Sequence, residues 1–320
     1  MAIVKLHPAF KDYIWGGTKL KELYNKKTDM DPLAESWELS THKDGQSEVV
    51  TGDDAGKTLS QYIEDKGWQV LGTDCKDMNR FPVLIKLIDA KQPLSIQVHP
   101  DDEYAWRVEG EPGKTEMWYI LDAEPGAFLY FGVKRHTDRE EFRKAIEDGT
   151  VLDLLRAVPV HKGDVFFIKS GTIHAIGAGI QICEIQQNSN TTYRVYDFGR
   201  VGKDGKPREL HIDKALDVSI FDPIESDFKP IGEKVDNGQA STEMLATCEY
   251  FTTFVTEVHG KVTIDQDDES FGSIIMIEGD AIISNDGTEL HANKGDSIFV
   301  DAGSGKVDIV GNCQYIYTRV

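Results

Sequence analysis

The chain has 320 residues, 40% of them hydrophobic, and a formal net charge of −20. That length and apolar content suffice for one large or two medium domains. So acidic a chain, with a pI near 4.8, excludes a nucleic-acid partner, which would need clustered positive charge; an anionic small molecule needs only a few cations inside a pocket.

The first residues, Met1 to Pro8, carry no charged stretch ahead of a long apolar core, and no later run approaches about 18 apolar residues. The expectation is a cytoplasmic protein with no membrane partner. Cys75, Cys183, Cys248 and Cys313 form no CxxC pair, so free thiols are expected. Ile14 to Gly17 makes a turn, and Ala34 to Ser40 alternates as a strand does. A short amphipathic helix is expected over Thr58 to Glu64, capped by Thr58 or a neighbour and stopped near Gly67. Phe81 to Asp89 is a buried strand with one cation, Lys86, in it. Lys86 either snorkels from a sheet edge or binds a phosphate or hydroxyl inside a barrel.

Next comes Leu94-Ser95-Ile96-Gln97-Val98-His99-Pro100. A period of two sends Leu94, Ile96 and Val98 one way and Ser95, Gln97 and His99 the other, so two metal-capable groups share a face. Glu116 opens a second strand-like run, and His174 follows a glycine turn at Gly171. Imidazole and carboxylate are the usual zinc donors, about three of them in a catalytic site. Residues 137–158 switch to helical spacing, with a break expected at Gly149. Strands then resume at 165–168, 180–185 and 193–196. A Lys-, Asp-, Pro- and Gly-rich connection over 202–237 holds a short helix near Lys214 to Val218. Short strands from Phe251 to Tyr317 suggest a second β-barrel.

Lys162-Gly163-Asp164-x-x-Phe167-x-x-x-Gly171 matches Lys294-Gly295-Asp296-x-x-Phe299-x-x-x-Gly303 at a constant offset of 132. Two barrels of common design account for this repeat. The expected organisation is therefore mainly β: a catalytic domain over 1–236 with a helical insertion near 137–158, and a second domain over 237–320. Lys306 stands where the first copy has His174, so the second unit is expected to hold no metal.

Gly163-x5-Lys169-x-Gly171-x2-His174 resembles the second cupin motif, and Gln97-x-His99 followed by Glu116 resembles the first, with glutamine for a histidine. Tyr13 to Gly17, Pro93 to Pro100, Gly113 to Glu116, Gly171 to Ala175 and Glu184-x9-Arg194 complete a pattern similar to type I phosphomannose isomerase of the short form. The resemblance runs from about residue 7 to the C-terminus. It implies two cupin-like (jelly-roll) barrels and a zinc-dependent aldose–ketose isomerase that interconverts mannose 6-phosphate and fructose 6-phosphate through an enediol. It puts the zinc ligands on Gln97, His99, Glu116 and His174, and the active-site arginine on Arg194.

The residue types agree with that chemistry. Proton removal beside a carbonyl needs a base and a cation where negative charge develops. Glu184 is the candidate base; equally, it could simply pair with Arg194 or Lys114. Lys114, Ser95 and Lys86 are candidates for binding substrate, whereas His161, His211 and His259 have no partner in the pattern and read as structural or surface residues. A non-catalytic metal- or sugar-binding cupin, an isomerase of another sugar phosphate and an iron-dependent oxygenase are the alternatives. Gln97 argues against the last, which relies on several imidazoles. The expected partner is a sugar phosphate, and the expected assembly a monomer or homodimer.

Overall fold

The computed structural model describes residues 2–202 and 205–320. The fold is mainly β, 43% strand and 16% helix, as the alternating pattern anticipates. At its centre lies a six-stranded sheet in the order Val165–Ile168, Glu116–Ala123, Ile180–Gln187, Val83–Ala90, Glu35–Leu39 and Ala9–Lys11. Every residue of Val83–Ala90 and of Ile180–Gln187 is buried. The reason is that both faces of this sheet are covered, which permits near-continuous apolar strands.

On one face Ile85, Leu87, Met117 and Ile185 pack with Phe251, Phe271, Ile275 and Phe299 of the C-terminal sheet. On the other, Ile88, Trp118, Ile120, Phe166 and Ile182 pack with Leu129, Phe131 and Val158. These last three belong to a five-stranded sheet ordered Leu155–Pro159, Phe128–Val133, His174–Ala175, Ile96–Val98 and Tyr193–Tyr196. Helices Arg139–Glu147 and Ile212–Val218 close its outer side, where Phe142, Ile146 and Leu216 join Ile96, Val98 and Val195 in one cluster. Because Ile96 and Val98 face the helices, Gln97 between them faces the central sheet.

The ten-stranded C-terminal sheet takes in the first strand of the chain, with Ile3 opposite Val300 and Leu6 opposite Ser297. Among the described residues no sheet closes into a barrel. All four cysteines are free, and no helix is long and apolar enough to cross a membrane. The helix Leu59–Lys66 starts as expected: Thr58 accepts from the Gln61 amide while the Gln61 side chain accepts from the Thr58 amide.

The helical stretch is shorter than its spacing suggests. Asp138 caps Arg139–Glu147, and Gly149 at φ +71°, two residues past its end, turns the chain away. A 3-10 turn over Val151–Leu154 follows, and Leu155–Pro159 is a strand. The three-residue spacing of Leu155 and Val158 mimics a helix face, but pairing of Leu155 with Val133 and of Val158 with Leu129 buries the same side chains. Cross-strand partners decide the matter there, and they lie far away in sequence.

The internal repeat is visible as structure. Gly163 and Gly295 turn at φ +93° and +92° ahead of the strands Val165–Ile168 and Ser297–Val300. Asp164 accepts from the His161 amide and Asp296 from the Asn293 amide, both three residues back. The two repeat lysines meet on one carboxylate, with Lys162 Nζ and Lys294 Nζ each 3.1 Å from Glu278.

At the end of the second copy, half-buried Asp301 accepts 3.0 Å hydrogen bonds from the Tyr62 hydroxyl. Burial raises its pKa from 3.8 to about 7. A carboxyl whose pKa is raised by folding binds its proton more tightly in the folded chain, so it costs stability progressively as pH rises from near 4 to near 7. Asp301→Asn should accordingly gain melting temperature over the wild type as pH rises through that window. Melting curves at pH 4.5 and 8 check this; a difference that does not grow with pH refutes it.

Candidate active site

The central and five-stranded sheets carry the polar groups on their facing sides. Gln97 is the cross-strand neighbour of both His174 and Arg194. On the central sheet Glu184 lies opposite Lys86 on one side and Trp118 on the other, while Gln186 lies opposite Glu116. Directly opposed residues hold their Cβ atoms about 4.5–5.5 Å apart, so strand pairing alone draws these groups together.

His99, Glu116 and His174 are buried and present donor atoms that all lie within 4.8 Å of one another. Thr191 O lies 2.9 Å from His99 Nδ1, and Thr172 O lies 2.9 Å from His174 Nδ1. A carbonyl can only accept, so each Nδ1 carries the proton and each Nε2 presents a lone pair. Those Nε2 atoms lie 3.7 and 3.4 Å from the two Glu116 oxygens. Glu116 Oε1 is fully buried with no hydrogen-bond partner, a costly state that a bound cation relieves. The donor set thus fits a metal ion, with both imidazoles oriented by backbone carbonyls as ligating histidines usually are. Burial holds the His174 pKa down at about 4 and, with Lys114 beside it, keeps His99 neutral as well. The Gln97 side chain reaches within 3.3 Å of His174 Nε2, and a half-turn of its amide brings oxygen to the set.

Beside the ligands runs a row of alternating charges. Lys114 Nζ is 2.6 Å from Glu116 and 3.8 Å from Glu184; Lys86 Nζ is 3.0 Å from Glu184 and 3.9 Å from Glu35. Trp118 Nε1 donates to Glu184 at 3.0 Å, and Trp37 Nε1 to Glu35 at 2.7 Å. Burial alone would raise the Glu184 pKa, but the two ammonium groups outweigh it and hold the carboxyl below its ordinary range. Glu116 moves the other way, because burial outweighs Lys114.

Lys86, Ser95, Gln97, Lys114, Glu184 and Arg194 line one cavity with Tyr13, Trp15 and Glu35. Lys86 lies in the middle of a central strand, not at a sheet edge, so its ammonium stays buried instead of snorkelling. His211 is structural, one of the two roles expected, but it does have a partner: its Nδ1 accepts from the Arg194 amide at 3.2 Å, and its own amide donates to Arg194 O at 2.8 Å. It fixes the strand that carries the arginine. His161 and His259 are exposed, and so is Lys306. Among the described residues the His99, Glu116 and His174 group is the one His, Cys, Asp or Glu cluster that could hold a metal. Glu35 and Arg208, which also line the cavity, escaped the sequence reading. Glu35 leaves one trace, a carboxylate at an inward position of an alternating strand.

Residues 3–121 match the model of the type I phosphomannose isomerase catalytic domain, and residues 241–320 that of the mannose-6-phosphate isomerase cupin domain. A probable mannose-6-phosphate isomerase of Bacillus subtilis is 38% identical over 316 residues, 98% of each chain. The chain belongs to the type I phosphomannose isomerase family. A further relative, a mannose-6-phosphate isomerase of the same bacterium, is 38% identical over 98% of this chain and 97% of its own. The crystal structure of a mannose 6-phosphate isomerase from Bacillus subtilis superposes with a TM-score of 0.93 at 33% identity, over the whole of both chains. A phosphomannose isomerase from Salmonella typhimurium shares the fold at 18% identity, with a TM-score of 0.79 over 99% of each chain.

Proposed function

We propose that this chain is a zinc-dependent mannose-6-phosphate isomerase that interconverts mannose 6-phosphate and fructose 6-phosphate through an enediol. One observation carries the reading: a buried His99, Glu116 and His174 donor set adjoins the cavity that holds Lys86, Lys114, Glu184 and Arg194. Membership of the isomerase family and the likeness to Bacillus subtilis isomerases over nearly the full length support it. Gln97, His99, Glu116 and His174 are the proposed zinc ligands. When bound, zinc would supply positive charge where negative charge develops on the enediolate oxygens.

The remaining groups divide the work. Glu184, kept ionised by Lys86 and Lys114, takes the proton from C2 and returns it to C1, while the hydroxyl proton of O2 passes to O1 so that the carbonyl moves from C1 to C2. Lys86, Lys114 and Ser95 hold sugar oxygens, and Arg194 supplies a cation to the bound sugar phosphate. Trp118 and Trp37 fix the two carboxylates through their ring N–H groups. We further assign this chemistry to a cupin-like unit over 1–236, with 237–320 a second cupin-like unit without a metal of its own.

Mannose 6-phosphate incubated with the protein in heavy water should yield fructose 6-phosphate carrying deuterium at C1. Proton NMR of the product checks this. The absence of any product from the metal-loaded protein excludes the isomerase and leaves a metal-binding cupin without turnover.

A further inference from the structure

The cations deepest in the cavity are already engaged: Lys114 with Glu116 at 2.6 Å and Lys86 with Glu184 at 3.0 Å. A dianionic phosphate placed there would also meet two carboxylates, and like charges at that distance repel strongly. The guanidinium groups of Arg194 and Arg208 line the same cavity, and the carboxylate that Arg208 contacts, Asp197, is shared with a second guanidinium, Arg200. Arg194 Nη1 donates to a backbone oxygen, Glu209 O, at 2.8 Å. Its Nε is buried and has no partner, an unmet donor that a cavity ligand would satisfy.

Arg208 is held from behind. Its Nε and Nη2 form a two-pronged contact with Asp197 at 2.7 and 2.6 Å, which fixes the guanidinium plane and leaves Nη1 to face elsewhere. Arg200 grips the same Asp197, Nε to Oδ1 at 3.2 Å, and donates through Nη1 to Pro93 O. Asp197 is buried and is contacted by two guanidinium groups, Arg200 and Arg208, with Arg194 lining the same cavity as Arg208, so the cluster keeps excess positive charge. Burial and the nearness of Arg208 both disfavour the charge on Arg194; an anion between the two arginines removes that penalty.

We propose that Arg208, positioned by Asp197, binds the phosphomonoester end of the substrate together with Arg194. The proposal rests on the isomerase reading above for the identity of the substrate, but not for the anion site. A six-carbon sugar phosphate has its reacting carbons at one end and its phosphate at the other. One cavity that joins a metal-binding set to a pair of arginines with spare donors matches that division.

The test compares wild type, Arg208→Gln and Arg208→Lys, each checked for fold by circular dichroism. Calorimetric titration with inorganic phosphate should show affinity reduced about tenfold or more in Arg208→Gln, the size of one or two lost charge-assisted bonds, with partial recovery in Arg208→Lys. KM for mannose 6-phosphate should rise by a similar factor while kcat stays within about threefold, the pattern of lost uniform binding. Equal phosphate affinity and equal KM in wild type and Arg208→Gln would overturn the proposal, as would a wild type that binds no phosphate. Should the wild type fail to isomerise mannose 6-phosphate, the isomerase reading falls, yet the phosphate titration still decides the anion site by the same comparison.

Discussion

Replacing His99 or His174 with alanine is expected to release the metal and abolish isomerisation while the fold persists. Each imidazole supplies one of three buried donors and is aimed by a backbone carbonyl, Thr191 O or Thr172 O. Loss of groups that only orient a ligand already costs about 10- to 100-fold in metal affinity, so removal of the ligand itself should cost more. In His174→Ala, Glu116 Oε1, without a hydrogen-bond partner as it stands, would lose the imidazole nitrogen 3.4 Å away. The apolar clusters on either side of the central sheet do not include these histidines, which is why cooperative unfolding should survive. Elemental analysis and thermal denaturation measure the two effects separately. Full metal content in both folded variants would refute the ligand assignment.

Glu184→Gln is expected to lower turnover by about a hundredfold or more, the usual contribution of a general base, with metal content unchanged because Glu184 is not among the clustered donors. The amide cannot take the proton, though it keeps the shape and can still accept from Trp118 Nε1, now 3.0 Å from Glu184 Oε2. Lys86 would lose its nearer carboxylate and keep Glu35 at 3.9 Å. Some stability should therefore go as well, since a buried ammonium is left poorly compensated. Rates measured well below the onset of unfolding separate the two losses. An undiminished kcat would remove Glu184 from proton transfer and leave it as the group that holds Lys86 and Lys114 in place.

Much of the site is legible from the order of residues, because strand alternation is local. Gln97 and His99 fall on one side of Ile96–Val98 through a period of two that needs no tertiary information, and the helix beginning near Thr58 shows in its local amphipathic spacing. The glycine turns of the internal repeat are local too, since a positive φ is a property of a single residue. Lys86 already stands out in the sequence as a cation inside an apolar strand.

What surrounds Lys86 is another matter. Glu184 and Glu35 lie beside it only because Ile180–Gln187 and Glu35–Leu39 pair on either side of Val83–Ala90, and strand order is a long-range choice made by which faces can be buried together. The strand Leu155–Pro159 was misread as helix for the same reason, its three-residue spacing being ambiguous until Phe128–Val133 lies alongside. Arg208 sits in a polar connection with no periodicity at all, and what gives it a role is Asp197, eleven residues earlier, turned to meet it at the cavity. Local periodicity thus determined the central strands and the face each of their residues takes, but not Leu155–Pro159. The tertiary structure alone decided which charges meet, because those encounters depend on sheets packing in layers and on strands distant in the chain becoming neighbours.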